Sequence, residues 1–247
     1  MKPIAYVQTD SNGQPYSAHG AVAAKGFELL GFDVRYFHRE ELDQLALSTA
    51  TVVVGGMGTV RAALLHLGKL PPQLDSAPSC LLSFLGRTCR ITTLNDVLNE
   101  GRFPVFVKPH SEAKLFNGQV FEHEANLRRL LTARPGFPPI TGDLPVLAQS
   151  PIHFVSEWRT FVIQTKVIGA SFYKGDPLVF PNGKFIHDTV AAFENAPAGY
   201  SADFGVTDEG QTVLIEINDG YSLGHGGLTA TQYAELLHAR WTEICAA

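Results

Sequence analysis

Apolar and polar positions along the first third of this chain change period several times. Pro3–Gln8 is a short apolar run that predicts a strand, and the polar turn Ser11–Tyr16 follows it. Ala18–Leu30 then shows helical spacing and stops at Gly31. Phe32–Phe37 predicts a second strand, Arg39–Leu47 a short helix or turn, Thr51–Val54 a third strand, and Thr59–Leu67 a further helix. Strands alternating with helices in this way predict a small parallel sheet with helices on its faces. Lys69-Leu70-Pro71-Pro72 breaks the pattern, so a first domain is expected over residues 1–74 and a second over 75–247.

In the second part the pattern is mainly that of strands, so the expected class is α/β with an α+β portion. Cys80–Leu85 is apolar, and Thr93–Asn99 reads as a helix with Thr92 or Thr93 as its cap. Phe103–Pro109 is β-rich and closes on Lys108-Pro109. A polar loop carrying Lys114 leads to a short strand at Gln119–Phe121, and Asn126–Leu131 predicts a helix. Pro145–Ser150 reads as a strand leaving one lobe (75–149) for another (150–247). In Val155–Ile163, alternation puts Glu157, Arg159 and Phe161 on one face and Trp158, Thr160 and Val162 on the other. Lys166–Tyr173 is the returning strand, His187–Ala196 a helix, and Thr229–Cys245 a closing amphipathic helix.

The candidate chemistry concentrates in Tyr200–Asn218. Two apolar runs, Ser201–Val206 and Thr212–Ile217, flank Thr207-Asp208-Glu209-Gly210, a hairpin signal. Glu216 and Asn218 stand two apart and leave a strand on the same face, and direct pairing of the runs brings Asp203 to that face. Two carboxylates and an amide oxygen at one point repel unless a proton or cation neutralises them. Oxygen-only ligation suits Mg²⁺, above all beside phosphate. The other reading is a solvated acidic hairpin, which the apolar flanks disfavour.

Lys108 at the end of an otherwise apolar strand either meets an anion or snorkels to the surface. Glu157 beside Arg159 is either a cross-strand ion pair or an acceptor and a phosphate clamp. The turn Gly55-Gly56-Met57-Gly58 either receives an anion at a helix N-terminus or simply turns the chain tightly.

Composition narrows the classes. With 45% hydrophobic and 17% charged residues in 247, the chain is globular, and a net charge of −5 supplies no global attraction to nucleic acid or anionic membranes. No apolar run approaches the ~18 residues of a membrane span. The start MKPIAYVQTD becomes polar too soon for a signal peptide, and Cys80, Cys89 and Cys245 have no metal-site spacing. Reduced thiols in the cytoplasm are expected.

Taken in order, these pieces resemble the ATP-grasp superfamily of carboxylate–amine ligases. The resemblance rests on the Lys-Pro strand end (Phe106–Pro109), the hinge strand Val146–Ser150, Glu157-x-Arg159, and Asp203-Phe204 followed by Glu216-x-Asn218. Ser-Glu-Trp-Arg-x-Phe-Val at Ser156–Val162, and Lys114 before Phe116 and Gly118, are similar to a compact clade of that superfamily. The resemblance implies that Lys108, and Lys114 from a flap, contact ATP phosphates. Leu147 and Gln149 would line the adenine pocket, with Glu157 and Arg159 also in the ATP site. Asp203, Glu216 and Asn218 would hold Mg²⁺, and Arg159 would neutralise the transferring phosphoryl group, with Lys108 also counted as catalytic. The flap Ser111–Gly118 is short for the superfamily, and Arg87 or Arg90 stands where many members place another lysine.

The implied activity is an ATP-dependent ligase joining a small-molecule or peptide carboxylate to an amine through an acyl phosphate, with neither nucleic acid nor membrane as partner and with a homodimer as one admissible assembly. The acceptor would sit near Asp219–Gly227, beside Tyr221 and His225. A phosphotransferase on the same scaffold and a nucleotide-binding module without turnover are the competing readings.

Overall fold

The structure is a computed structural model that describes residues 2–70, 75–110, 115–132 and 139–247. Lys114 lies outside the described residues. The chain forms two compact units that do not follow chain order: Met1–Cys80 joins Val155–Ala247, and Leu81–Phe154 stands as a second unit.

The first unit opens with β1 (Ile4–Gln8), α1 (Ala18–Leu29), β2 (Asp33–Phe37), β3 (Thr51–Val54) and α2 (Met57–His66). The strands form a parallel sheet, as the alternating pattern predicts, and their order is β2-β1-β3. Ser17 caps α1 by accepting a hydrogen bond from Gly20 N–H. All four residues of β3 are buried, as expected of a parallel strand covered on both faces.

The second unit contains β4 (Cys89–Thr93), α3 (Leu94–Glu100), β5 (Val105–Pro109), β6 (Gln119–Phe121), α4 (Glu124–Arg128) and β7 (Pro145–Gln149). Its sheet has the order β4-β7-β5-β6, with every adjacent pair antiparallel. Strand β4 was not expected from the apolar pattern. It is an edge strand with Arg90 and Ile91 exposed, so its residues carry little apolar periodicity. Residues 79–84, apolar in sequence, form a 3₁₀ turn. Val105, Val107, Val146 and Ala148 face a core with Leu94, Val97, Leu98 and Leu127.

The chain then returns to the first unit through β8 (Phe154–Ile163), β9 (Lys166–Gly175), α5 (Gly183–Ala192), β10 (Gly199–Thr207), β11 (Thr212–Asp219) and α6 (Ala230–Ala246). These strands are ordered β11-β10-β8-β9. Helix α5 corrects the expected His187–Ala196. It starts at Gly183 because the Asn182 side chain accepts from Phe185 N–H, and it stops at Ala192 where Phe193 turns extended.

Helix α6 packs against α1 with almost no space between the backbones. A Cβ on Gly26 of α1 would overlap Ala230 O and lie 2.8 Å from the Ala234 Cβ. The surrounding core holds Phe27, Tyr233 and Trp241, all almost fully buried. Gly26→Ala must therefore separate α1 from α6. Overpacking of this kind costs about 1–3 kcal/mol, so the Tm measured by circular dichroism should fall by several degrees, whereas Gly31→Ala, with open space around its Cβ position, should lose only what its left-handed φ of 84° demands.

Candidate functional site

In the first unit, chemistry gathers on one face of the β10–β11 hairpin. Asp203 pairs directly with Glu216, and Ser201 with Asn218, so these four side chains share a face. The register shifts by one residue after Asp203, which places a bulge beside the two carboxylates. Arg159 of β8 meets Asp203 in a fork: Nε donates to Oδ1 at 2.8 Å and Nη2 to Oδ2 at 2.7 Å. Asn218 Nδ2 donates to Asp203 Oδ2 at 3.3 Å. The Tyr173 ring lies 5.3 Å from Arg159 Cζ, a cation–π distance to which the sequence pattern gave no clue.

Of the two readings of Glu157 beside Arg159, cross-strand ion pairing is what this structure displays, each residue pairing with a neighbouring strand. Arg159 goes to Asp203, while Lys174 Nζ lies 3.7 Å from Glu157 Oε1. The Asp203 hydrogen bonds hold the Arg159 guanidinium above its ordinary range. Burial pushes the Asp203 carboxyl up, against the pull of Arg159 and with Glu216 and Glu157 adding to the rise. Ser201 Oγ is buried on this same face with no hydrogen-bond partner among the described residues. The face is thus rich in oxygen ligands, the donor chemistry that a hard divalent cation satisfies.

In the second unit, the sheet face opposite its core carries the other expected residues. Lys108 pairs across from Leu147, and Phe106 across from Gln149. Cys89 and Ile91 of β4 oppose Gln149 and Leu147 from the other side. Strand alternation therefore brings Lys108, Leu147 and Gln149 to one face. Arg87 joins them, since its Nε donates to Gln149 Oε1 at 3.0 Å and its Nη1 to Leu85 O at 2.9 Å. Arg90 does not, because it pairs with Glu100 of α3 at 2.5 Å on the helix side. Gly118 lies close over this face: a Cβ there would come within 2.9 Å of Lys108 Cβ and 2.8 Å of the Phe106 ring.

These two constellations can be set against known proteins. A family model for the ATP-grasp domain, R2K clade family 2, matches residues 84–236, well over half of the chain. The chain belongs to the ATP-grasp family. Its fold is similar to D-alanine–D-alanine ligase from Bacillus anthracis complexed with ATP, at a TM-score of 0.60 and 14% identity over 100% of this chain and 98% of that one. It is similar to N5-carboxyaminoimidazole synthase from Aspergillus clavatus, with TM-score 0.57 and 12% identity over 97% and 77% of the two chains. Against D-cycloserine synthetase DcsG the TM-score is 0.58 and the identity 12%, over 96% of this chain and 99% of that one. Compared with curated proteins, the chain has no match. Among the described residues no helix is long and apolar enough to cross a membrane.

In this ATP-grasp chain, the loop after β11 is tied to the N-terminal elements of its own unit. Ser222 Oγ donates to Gly55 O at 3.3 Å, and Arg61 Nη1 to Tyr221 OH at 3.4 Å. Gly56 N–H donates to Gln8 Oε1 at 3.0 Å, which gives the tight glycine turn before α2 a partner within the fold. Asp219 is turned away from the ligand face. It accepts from Tyr221 N–H and is gripped by buried Arg240 at 2.8 and 2.6 Å. The sequence pattern had no signal for this pair, since Arg240 is a lone arginine within a helix.

His225 N–H donates to His19 Nδ1 at 3.3 Å, and Gly227 N–H to His225 Nδ1 at 3.0 Å. Both rings accept through Nδ1, so both bonds require neutral imidazole. Burial, and then His225, lower the His19 pKa from 6.5. A histidine whose folded pKa is depressed contributes stability that is complete above its unfolded value and is lost as pH falls through the folded one. The Tm should be flat above pH 6.5 and decline in acid, and His19→Ala should flatten that decline; an unaltered acid slope in the variant would remove His19 from the account.

Proposed function

We propose that the protein is an ATP-dependent ligase that joins a carboxylate to an amine through an acyl phosphate, releasing ADP and phosphate. The observation that carries the reading is the shared hairpin face of Asp203, Glu216 and Asn218, with Arg159 against it, in a chain of the ATP-grasp family. Asp203, Glu216 and Asn218 are assigned to Mg²⁺, whose charge neutralises ATP phosphates. Lys108 and Lys114 bind the phosphates, with Lys108 also catalytic, and Leu147 and Gln149 border the adenine. Glu157 completes the nucleotide-contacting set, and Arg159 stabilises the charge of the phosphoryl group in transit. Residues 1–74 are assigned as the domain that precedes the grasp in this architecture, and 75–247 as the grasp itself.

The chemistry asks little covalent work of the protein. A carboxylate resists amines because its oxygen leaves poorly; a phosphoryl group converts that oxygen into a good leaving group, and the amine then displaces phosphate. Positioning and charge neutralisation carry phosphoryl transfer. A site made of cationic side chains and metal-binding oxygens suits that demand. The acceptor is assigned to the loop beginning at Asp219, next to Tyr221 and His225. The acid and amine belong to small molecules or to a peptide, and the three thiols suit the cytoplasm.

Purified protein with ATP, Mg²⁺ and a panel of small and peptide carboxylates, with hydroxylamine as the trap, should yield ADP together with a hydroxamate. Glu216→Gln should lower kcat at least a hundredfold. ADP without hydroxamate across the panel would count against the acyl phosphate and favour a phosphotransferase.

We assign the further phosphate contact to Arg87 rather than Arg90, because Arg87 bonds Gln149 on the Lys108 face whereas Arg90 is bound to Glu100. A hydrogen bond to a charged group contributes about 1.5–3 kcal/mol. Arg87→Ala should therefore raise the KM for ATP by roughly tenfold to a hundredfold, with Arg90→Ala changing it by less than about threefold, within the ~0–1 kcal/mol of a surface ion pair. Equal effects of the two variants would remove the distinction.

A further inference from the structure

Asp203 has two carboxylate oxygens, and the Arg159 fork engages both, at 2.8 and 2.7 Å. Asn218, the neighbouring ligand in the reading above, also donates to Oδ2, at 3.3 Å. A divalent ion in the Mg²⁺ class needs its oxygen ligands at about 2.0–2.1 Å in near-ideal octahedral geometry. It cannot take the same edge of the carboxylate that the guanidinium occupies, and two cations held a few ångströms apart in a partly buried site repel strongly. Metal and Arg159 therefore compete for one anion. The carboxylates around them are Asp203, Glu216 directly across the ladder, and Glu157 two residues along β8, the last shared with Lys174. On its other side the guanidinium has the Tyr173 ring at 5.3 Å, a partner that does not depend on Asp203.

We propose that Arg159 is a built-in counter-cation for the metal site, and that it yields Asp203 to the metal only when nucleotide phosphate offers the guanidinium a replacement anion. Metal and nucleotide then load together. Arginine suits this exchange because it keeps its charge throughout and its planar fork matches carboxylate and phosphate alike. The proposal rests on the assignment of Asp203, Glu216 and Asn218 as metal ligands and adds a rule for when they are accessible. It makes a counter-intuitive demand: taking a cation away should strengthen cation binding even where no nucleotide is present, while weakening catalysis.

The test is a titration of Mn²⁺, followed by the electron paramagnetic resonance signal of the unbound ion, with and without a non-hydrolysable ATP analogue. The full-length wild type is compared with Arg159→Gln and with the double variant Arg159→Gln/Glu216→Gln. Without nucleotide, Arg159→Gln should bind Mn²⁺ at least tenfold more tightly than the wild type, and the double variant should lose that gain. Unchanged or weaker binding by Arg159→Gln, beside Glu216-dependent Mn²⁺ binding by the wild type with the analogue, would overturn the counter-cation and leave the metal assignment standing. If the wild type with the analogue binds no Mn²⁺, the metal assignment fails and the proposal fails with it. Should Arg159→Gln not fold, as judged by circular dichroism, Arg159→Lys decides the matter. It keeps the charge and loses the fork, so a gain of about threefold is expected, and no gain overturns the proposal.

Discussion

The open end of the β10–β11 hairpin is held by one charged cluster on α6. Arg240 grips both oxygens of Asp219, the last residue of β11, and its Nη1 donates to Glu243 at 2.5 Å. Glu243 in turn accepts from Ala198 N–H at 2.7 Å, just before β10 begins. One turn of helix thus fastens the start of one strand and the end of the other. The Arg240 and Asp219 side chains are each only 7% exposed, so breaking either partner leaves a buried charge, a loss of about 3–5 kcal/mol in comparable pairs. The candidate ligands Glu216 and Asn218 and the loop from Gly220 onward all lie within a few residues of that anchor. Because α6 is itself packed against α1, the anchor ties the hairpin to the core of its unit.

Two Arg–Asp forks thus hold aspartates on neighbouring strands of one sheet, and their settings separate their roles. The Arg240–Asp219 fork is buried on both sides, and Asp219 also caps the following turn. Nothing in that arrangement benefits from opening. The Arg159–Asp203 fork is less enclosed, with 21% and 11% of its side chains exposed, and it lies beside a bulge, a second carboxylate and an aromatic face. The same bond is structural in the first setting and exchangeable in the second, and the difference is the surrounding charge. Glu216 and Glu157 both act against the charge on Asp203, so the anion that Arg159 holds is itself under repulsion from its neighbours.

In the second unit the candidate residues are arranged by pleat. Val105 and Val107 fill the core, so Phe106 and Lys108 must face the other way; the same rule sends Val146 and Ala148 to the core face and Leu147 and Gln149, which are also buried, to the opposite one. An apolar wall, an amide and a cation on one face follow directly from burying the alternate positions. Arg87 reaches that face through its bond to Gln149, which no spacing rule would have identified.

What the amino-acid sequence determined by itself is local and periodic. Hydrophobic spacing specified a small parallel sheet and the closing helix, and a threonine cap at Thr92 or Thr93 was legible, with the structure choosing Thr93. A two-residue period sufficed to put Glu216 and Asn218 on one side of a strand, and order along the chain pointed to the ATP-grasp family. Strand β4 and the true limits of α5 were not legible, because an exposed edge strand has weak apolar alternation and α5 starts at a side-chain cap rather than at a change of hydrophobicity. Partner choice belonged to tertiary structure alone. Arg159 sits beside Glu157 in sequence yet bonds Asp203, 44 residues away, and Arg240 meets Asp219 only because α6 folds back across the hairpin. A charge pairs with whatever opposite charge packing brings within reach while excluding water, and that proximity is a property of the assembled sheet and helix, not of spacing along the chain.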